Sequence, residues 1–295
     1  MVFGIAAYSL WGLFPLYWPL VKPAGAAEIL AHRIMWSLVA VAVVLAAARN
    51  WRWIRALTGR RLALLAVAAV TISANWGVYI YAVNSGHTIE GALGYFINPL
   101  ISVVFGVVVF RERLRPAQWL AVGLGVAAVA ALTADYGRLP WIALVLACSF
   151  ATYGLAKKFA AMPSAESLAV ETAIMFVPAL VFASVLEARG DAAFAHHGVG
   201  HALLLAAAGI VTAVPLMLFN AAATRLPLSA VGMLQYLTPA LQFLIGLLVQ
   251  HEEMPASRWT GFVLVWGALV VLTGDGLVAG RRTRRTRPEP EPEPV

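Results

Sequence analysis

Glu28, His32 and Arg33 place a carboxylate, an imidazole and a guanidinium within six residues of an otherwise apolar run. Such a trio can hold an anion, relay a proton or clamp one helix to another. Glu28 and His32 are four apart and share a face of a helix. Arg33 is five from Glu28 and diverges from that face by about 140°, so a bridge between the two within one helix is poor. Arg33 is expected to reach a second helix or backbone carbonyls. Counted from Pro23 it stands ten residues in, roughly 15 Å at helical rise, near the middle of a hydrocarbon core of roughly 30 Å. A charge there costs on the order of 3 kcal/mol to insert, so it must face a cavity or a partner. Contact with a substrate or proton and a plain helix–helix clamp both satisfy that demand.

Other polar residues are scattered along apolar segments in the same way. Asn75 and Tyr79 share a face, Asn98 precedes Pro99, Asn220 stands alone, and Gln235, Tyr236 and Thr238 precede Pro239. Each could make an interhelical hydrogen bond; together they suit a polar lining between helices. Glu171 sits a few residues into its span, where an interfacial carboxylate is the competing reading. Trp11 and Trp76 are deep enough to stack on an aromatic substrate or to pack in the core, and Trp18 suits an interfacial belt.

The elements that must carry these residues follow from composition. Hydrophobic residues make up 61% of the 295 and charged residues only 12%, against about 25% charged in a soluble domain. Ten apolar spans fit the chain: 2–21, 24–48, 62–85, 89–110, 116–134, 139–157, 167–186, 201–226, 228–250 and 257–278. The first lacks a basic leading region and is read as a span rather than a cleaved signal. The net charge of +7 does not point to nucleic acid, because the Lys and Arg residues cluster between apolar runs. Cys148 is the single cysteine, so no disulfide framework or thiolate metal site can form within the chain.

Basic residues set an orientation. With the N-terminus inside, the inner connections hold Arg49, Arg52, Arg55, Arg60 and Arg61, then Arg111, Arg113 and Arg115, Lys157 and Lys158, and Arg225. The outer ones hold only Lys22, Arg138, Arg189 and Arg258. Both termini are therefore expected in the cytoplasm. Residues 279–295, five arginines followed by a Pro-Glu tract, are expected to be a disordered cytoplasmic tail whose arginines attract anionic lipid.

A shift of 140 residues lays the second half on the first. Pro99 meets Pro239, Gly106 meets Gly246, Glu112 meets Glu252, Trp119 meets Trp259 and Asp135 meets Asp275. The expected organisation is a first repeat at 1–136 and a second at 137–278. Five spans in each half force the halves to enter the membrane from opposite sides. Inverted repeats of this kind mark alternating-access carriers, with the substrate site near the midplane where the halves meet.

Five stretches also resemble the RarD branch of the EamA family, in the drug/metabolite transporter superfamily: Trp11–Tyr17, Glu28–Ser37, Leu93–Leu100, Thr212–Leu216 and Leu234–Tyr236. The resemblance runs from the first span through the tenth. It implies an all-α integral membrane protein of ten transmembrane helices in two inverted five-helix repeats. It also implies a permease of the inner or plasma membrane that exports small molecules through a cavity lined by spans one to four and six to nine. Glu28, His32, Arg33, Tyr95 and Asn98 match the motifs of the branch.

An enzyme is not expected: His251-Glu252-Glu253 is not a His-Glu-x-x-His zinc motif, and Gly-x-Ser-x-Gly is missing. Nor is there a nucleotide-binding Gly-x4-Gly-Lys-Ser/Thr loop. The expectation is therefore a secondary transporter, gradient-driven or facilitative, without cofactor or metal. Its partners would be a small-molecule substrate and the lipid bilayer, with proton coupling open to Glu28 and His32. A channel or a membrane scaffold subunit is the competing reading. Substrate, coupling and oligomeric state are left open by the sequence.

Overall fold

The computed structural model describes residues 1–49, 51–111, 113–223, 225–226 and 228–285. Its helices are α1 (Val2–Gly12), α2 (Phe14–Tyr17), α3 (Ala26–Ala48), α4 (Gly59–Asn84), α5 (Thr88–Phe110), α6 (Pro116–Tyr136), α7 (Trp141–Ala160), α8 (Ser164–Arg189), α9 (Gly198–Ala223), α10 (Leu228–Leu234), α11 (Leu237–Leu248) and α12 (Ala256–Arg285). A 3₁₀ turn at Trp18–Val21 follows α2. Eight of these helices are long and apolar enough to cross a membrane, and α1 and α11 are shorter apolar helices. Large apolar side chains such as Val2, Val108, Val199 and Val270 are well exposed, as befits surfaces that meet lipid rather than water.

Two expected spans are not single helices. The first breaks at Leu13 and the ninth at Gln235-Tyr236. Proline is the cause. Pro15 and Pro19 have no N–H to give to the carbonyls of Trp11 and Pro15, four residues earlier, and Pro239 has none for Gln235. In lipid those carbonyls must find a donor within the protein. Gln242 Nε2 donates to the Trp11 carbonyl at 3.2 Å and Gln250 Nε2 to the Pro15 carbonyl at 3.1 Å. Thr238 Oγ1 donates to the Tyr8 carbonyl at 2.8 Å. The broken first span is thus stitched to α11 by side chains. Gly12 allows the approach, since a Cβ there would stand 2.7 Å from Leu241.

Helix ends elsewhere follow ordinary chemistry. α8 stops at Gly190, φ +76°, where Gly190 and Asp191 N–H groups bond the Glu187 and Leu186 carbonyls. Pro116 opens α6, and the Gln118 side chain accepts the Arg115 N–H. α12 continues through Arg285, beyond the expected end of the tenth span at residue 278, so residues 279–285 are helical rather than part of a disordered tail. Residues 286–295 of the expected tail lie outside the described residues, as do Glu112 of the repeat and Pro227 of the eighth connection.

The chain forms two compact units. One comprises residues 1–98 and 140–254. Within it α1 packs on α9 and α11, α3 on α8 and α9, and α4 on α7 and α8. α5 meets α7 where Gly94 lies against Ala143 and Leu146, and α11 where Ile89 lies against Gly246. Exchanging the first five spans with the second five returns this set of pairings to itself: α1–α9 becomes α7–α4, α3–α9 becomes α8–α4, and α1–α11 becomes α7–α5. The other unit comprises residues 99–139 and 255–295. Here α6 and α12 run antiparallel around Leu100, Ala121 and Ala268. An ion pair closes each end, Arg115 with Asp275 and Arg258 with Asp135.

Candidate functional site

Arg33 is buried in α3, 3% exposed, and it reaches a second helix, donating from Nε to Thr212 Oγ1 of α9 at 2.9 Å. Its guanidinium carbon lies 3.9 Å from the Trp76 ring centroid, 5.1 Å from Trp18 and 5.4 Å from Phe14. No carboxylate among the described residues pairs with it. A desolvated cation–π contact contributes about 2 kcal/mol, comparable to the ~3 kcal/mol that insertion of the charge costs. The rings can therefore hold the cation without an acid beside it. Trp18, expected in an interfacial belt, is fully buried against this group.

Three tyrosines share the packed cluster of Phe14 and Trp18 that faces the guanidinium: Tyr79 within it and Tyr17 and Tyr95 against it. Tyr17 donates its hydroxyl to the Leu204 carbonyl of α9, and Tyr95 to Asn75 Oδ1 at 2.9 Å. Asn75 in turn donates to the Leu146 carbonyl and Ser149 Oγ of α7, both at 3.0 Å. Tyr79 stands edge-on to Tyr95 at 5.5 Å, yet its own hydroxyl is buried without a hydrogen-bond partner. Trp18 Nε1 is orphaned in the same way. Asn75, Tyr79, Tyr95 and Arg33 are thus brought together, as their spacing allowed.

Glu28 and His32 do share a face, and both are spent on one loop. Glu28 Oε1 accepts the Ala193 and Phe194 N–H groups at 2.7 and 2.9 Å, while His32 stacks on the Phe194 ring at 4.3 Å. Glu252 likewise accepts Thr88 and Ile89 N–H at the start of α5, and Glu90 accepts Ile142 N–H at the start of α7. These carboxylates meet the positive ends of helices or loop amides. Glu171 is buried, at 2% exposure, and pairs with Lys157 Nζ at 2.9 Å; Ser167 donates to the same oxygen. Lys157, expected in an inner connection, is therefore a half-buried member of α7.

Of the remaining candidates, Trp11 is half-buried against Tyr8 and Phe219. Asn98, Gln235 and Tyr236 are half-buried, the last two at the break before α11. Trp11 packs against the same core cluster as Phe14, Trp18 and Tyr79. The Asn220 side chain lies outside the described residues. Sequence reasoning did not single out Phe14, Tyr17, Thr212, Lys157 or Gln242 as site residues. Thr212 and Phe14 stand within motifs noted above, but nothing in their spacing announces which helix they face. Gln242 had a readable signal, a lone amide in an apolar helix when Pro15 leaves a carbonyl open elsewhere.

The chain matches the model of the EamA-like transporter family twice, over residues 1–134 and 139–274. It is 58% identical to protein RarD of Streptomyces exfoliatus, over 96% of this chain and 91% of that protein. It is 40% identical to protein RarD of Escherichia coli K12, over 97% of each. An uncharacterized transporter of Pseudomonas aeruginosa is 42% identical over 95% of each chain. One crystal structure of a protein shares the fold with a TM-score of 0.59 at 21% identity, covering 95% of this chain and 97% of that one. This multi-pass, ten-helix membrane protein belongs to the EamA-like transporter family, in the RarD branch of the drug/metabolite transporter superfamily.

Proposed function

We propose that the chain is a secondary transporter that exports a small molecule by alternating access, with its substrate site around Arg33. The observation that carries this reading is a buried guanidinium held by rings and one hydroxyl, with no acid among the described residues to neutralise it. A group of that kind inside a membrane protein marks a substrate or ion pathway. The cluster draws on α3, α4 and α5 from the first five spans and α9 from the second five, where carriers built of inverted repeats bind. The two family matches and the exchange-symmetric helix pairings support two inverted repeats, 1–136 and 137–278. Broken spans beside the site supply joints for movement. The basic loops support cytoplasmic termini in a plasma membrane. Glu28 is occupied by two amides, so proton coupling through it requires the 193–194 loop to let go.

The test starts with thermal-shift screening of the purified protein against a panel of metabolites and drugs. Compounds that raise its melting temperature are then loaded into proteoliposomes for counterflow. Saturable uptake, accelerated by unlabelled compound on the far side, is the expected result. Flux that rises linearly with concentration and shows no acceleration would instead identify a channel.

A further inference from the structure

We infer that the Arg33 site selects a monocarboxylate, its carboxylate taken between the Arg33 guanidinium and the Tyr79 hydroxyl; this rests on the transport reading above. Other buried charges in the same unit already have partners. Glu28 has two amides, Glu90 and Glu252 cap helix starts, and Glu171 has Lys157. Among the buried charges of the described residues in this unit, Arg33 is the one left with a neutral oxygen and three ring faces. A guanidinium offers five N–H donors, and among the described residues only Nε has a partner, Thr212 Oγ1. One turn along α4 from the ring that stacks on the guanidinium stands the Tyr79 hydroxyl, 2% exposed and donating to nothing. Two donors without acceptors, one charged and one neutral, fit a carboxylate's two oxygens.

Charge fixes the valence. A monoanion brings the site to neutrality in a low dielectric. A phosphate-type dianion would leave a net negative charge among apolar rings, which is strongly unfavourable. A neutral amide would satisfy Tyr79 but leave the guanidinium's charge uncompensated. The rings of Phe14, Trp18 and Trp76 are already turned to the guanidinium, so a ligand cation has no free face there. A zwitterion is therefore disfavoured.

The test uses the full-length protein in detergent and in proteoliposomes. Monocarboxylates from acetate to phenylpropionate are compared, at alkaline pH where phosphate is the dianion, with their primary amides and with inorganic phosphate, reading tryptophan fluorescence and melting temperature. At least one acid is expected to bind ten-fold or more tighter than its amide, with phosphate silent. Equal binding of acid and amide, binding of phosphate in preference, or no acid binding at all overturns the proposal. Arg33→Gln should abolish acid binding. It also removes the α3–α9 hydrogen bond, so Tyr79→Phe provides an independent arm. That change removes a hydroxyl with no partner, so the ligand-free melting temperature should not fall while acid affinity drops several-fold; unchanged affinity or a lower melting temperature overturns the assignment. Acids that bind through Arg33 but are not translocated would sink the transport reading alone. Arg33-dependent counterflow of a neutral solute would sink the acid class alone.

Discussion

Arg33 is a charge held in an apolar interior by the faces of Trp76, Trp18 and Phe14 and by Thr212. Rings stabilise a planar guanidinium better than a compact ammonium, and Lys cannot reproduce the fork of donors. Arg33→Lys should therefore still reach the membrane with a modestly lowered melting temperature, while transport per folded molecule falls by about ten- to a hundred-fold, the loss expected for a charge-assisted hydrogen bond of ~1.5–3 kcal/mol. Normal transport per folded molecule, with a melting temperature well below the parent's, would make Arg33 a clamp and nothing more. Glu171 is a different case, because its partner is in place. Glu171→Gln should destabilise the protein by about 1–3 kcal/mol by leaving Lys157 buried without its acid, and Lys157→Met in the same molecule should restore most of the loss. A double variant as unstable as the sum of the two singles would show that the pair is not what holds α7 to α8. Arg33 was legible in sequence because a mid-span cation needs no context to stand out. Lys157 was not, since a lysine near the end of an apolar run reads equally as loop or helix.

Elements here are shaped by what proline removes and what glycine admits. The first and ninth spans read as continuous apolar runs, and hydropathy cannot tell an intact helix from one stitched by neighbours. What decides is the fate of two carbonyls, and that depends on Gln242 and Gln250 arriving from more than two hundred residues away. Gln242→Leu keeps the volume and loses the donor. It should lower stability by roughly 1 kcal/mol, the scale of a single buried hydrogen bond, and the parent's melting temperature would reveal a larger or absent effect. Glycine gives a sharper contrast. A Cβ at Gly209 would stand 2.3 Å from the Trp36 carbonyl oxygen, whereas one at Gly154 meets nothing within 4 Å. Gly209→Ala must push α9 off α3 and is expected to cost about 1–3 kcal/mol or more; Gly154→Ala should be silent in the same melting experiment. Because α3 and α9 carry Arg33 and Thr212, the first change should also weaken whatever the site binds.

At the scale of the molecule, the principal helix pairings within one unit exchange with one another when the first five spans are swapped with the second five, and α6 and α12 are tied by Arg115–Asp275 at one end and Arg258–Asp135 at the other. Asp135 and Asp275 were matched in the sequence shift, and each closes one end of that hairpin. Their basic partners do not correspond by the same shift, which is why sequence gave the acids and not the bridges. If each half has five spans, the halves must be oppositely inserted, and the loops that follow spans two and five lie on opposite sides of the membrane. Arg55 is exposed after α3 and Leu139 is exposed between α6 and α7. Single cysteines at these positions, in a background with the exposed Cys148 replaced by serine, report the two faces. Leu139 is preferable to its neighbour Gly137, whose φ of +63° would strain any side chain. A membrane-impermeant thiol reagent applied to intact cells should modify position 139 and spare position 55, because arginine-rich short loops are as a rule retained on the cytoplasmic side. Permeabilised cells should expose both, which shows that protection at 55 is due to the membrane and not to burial. Labelling of 55 with protection of 139 would turn the whole molecule over. Labelling of both in intact cells would mean an even number of crossings between them, and the inverted repeat could not stand.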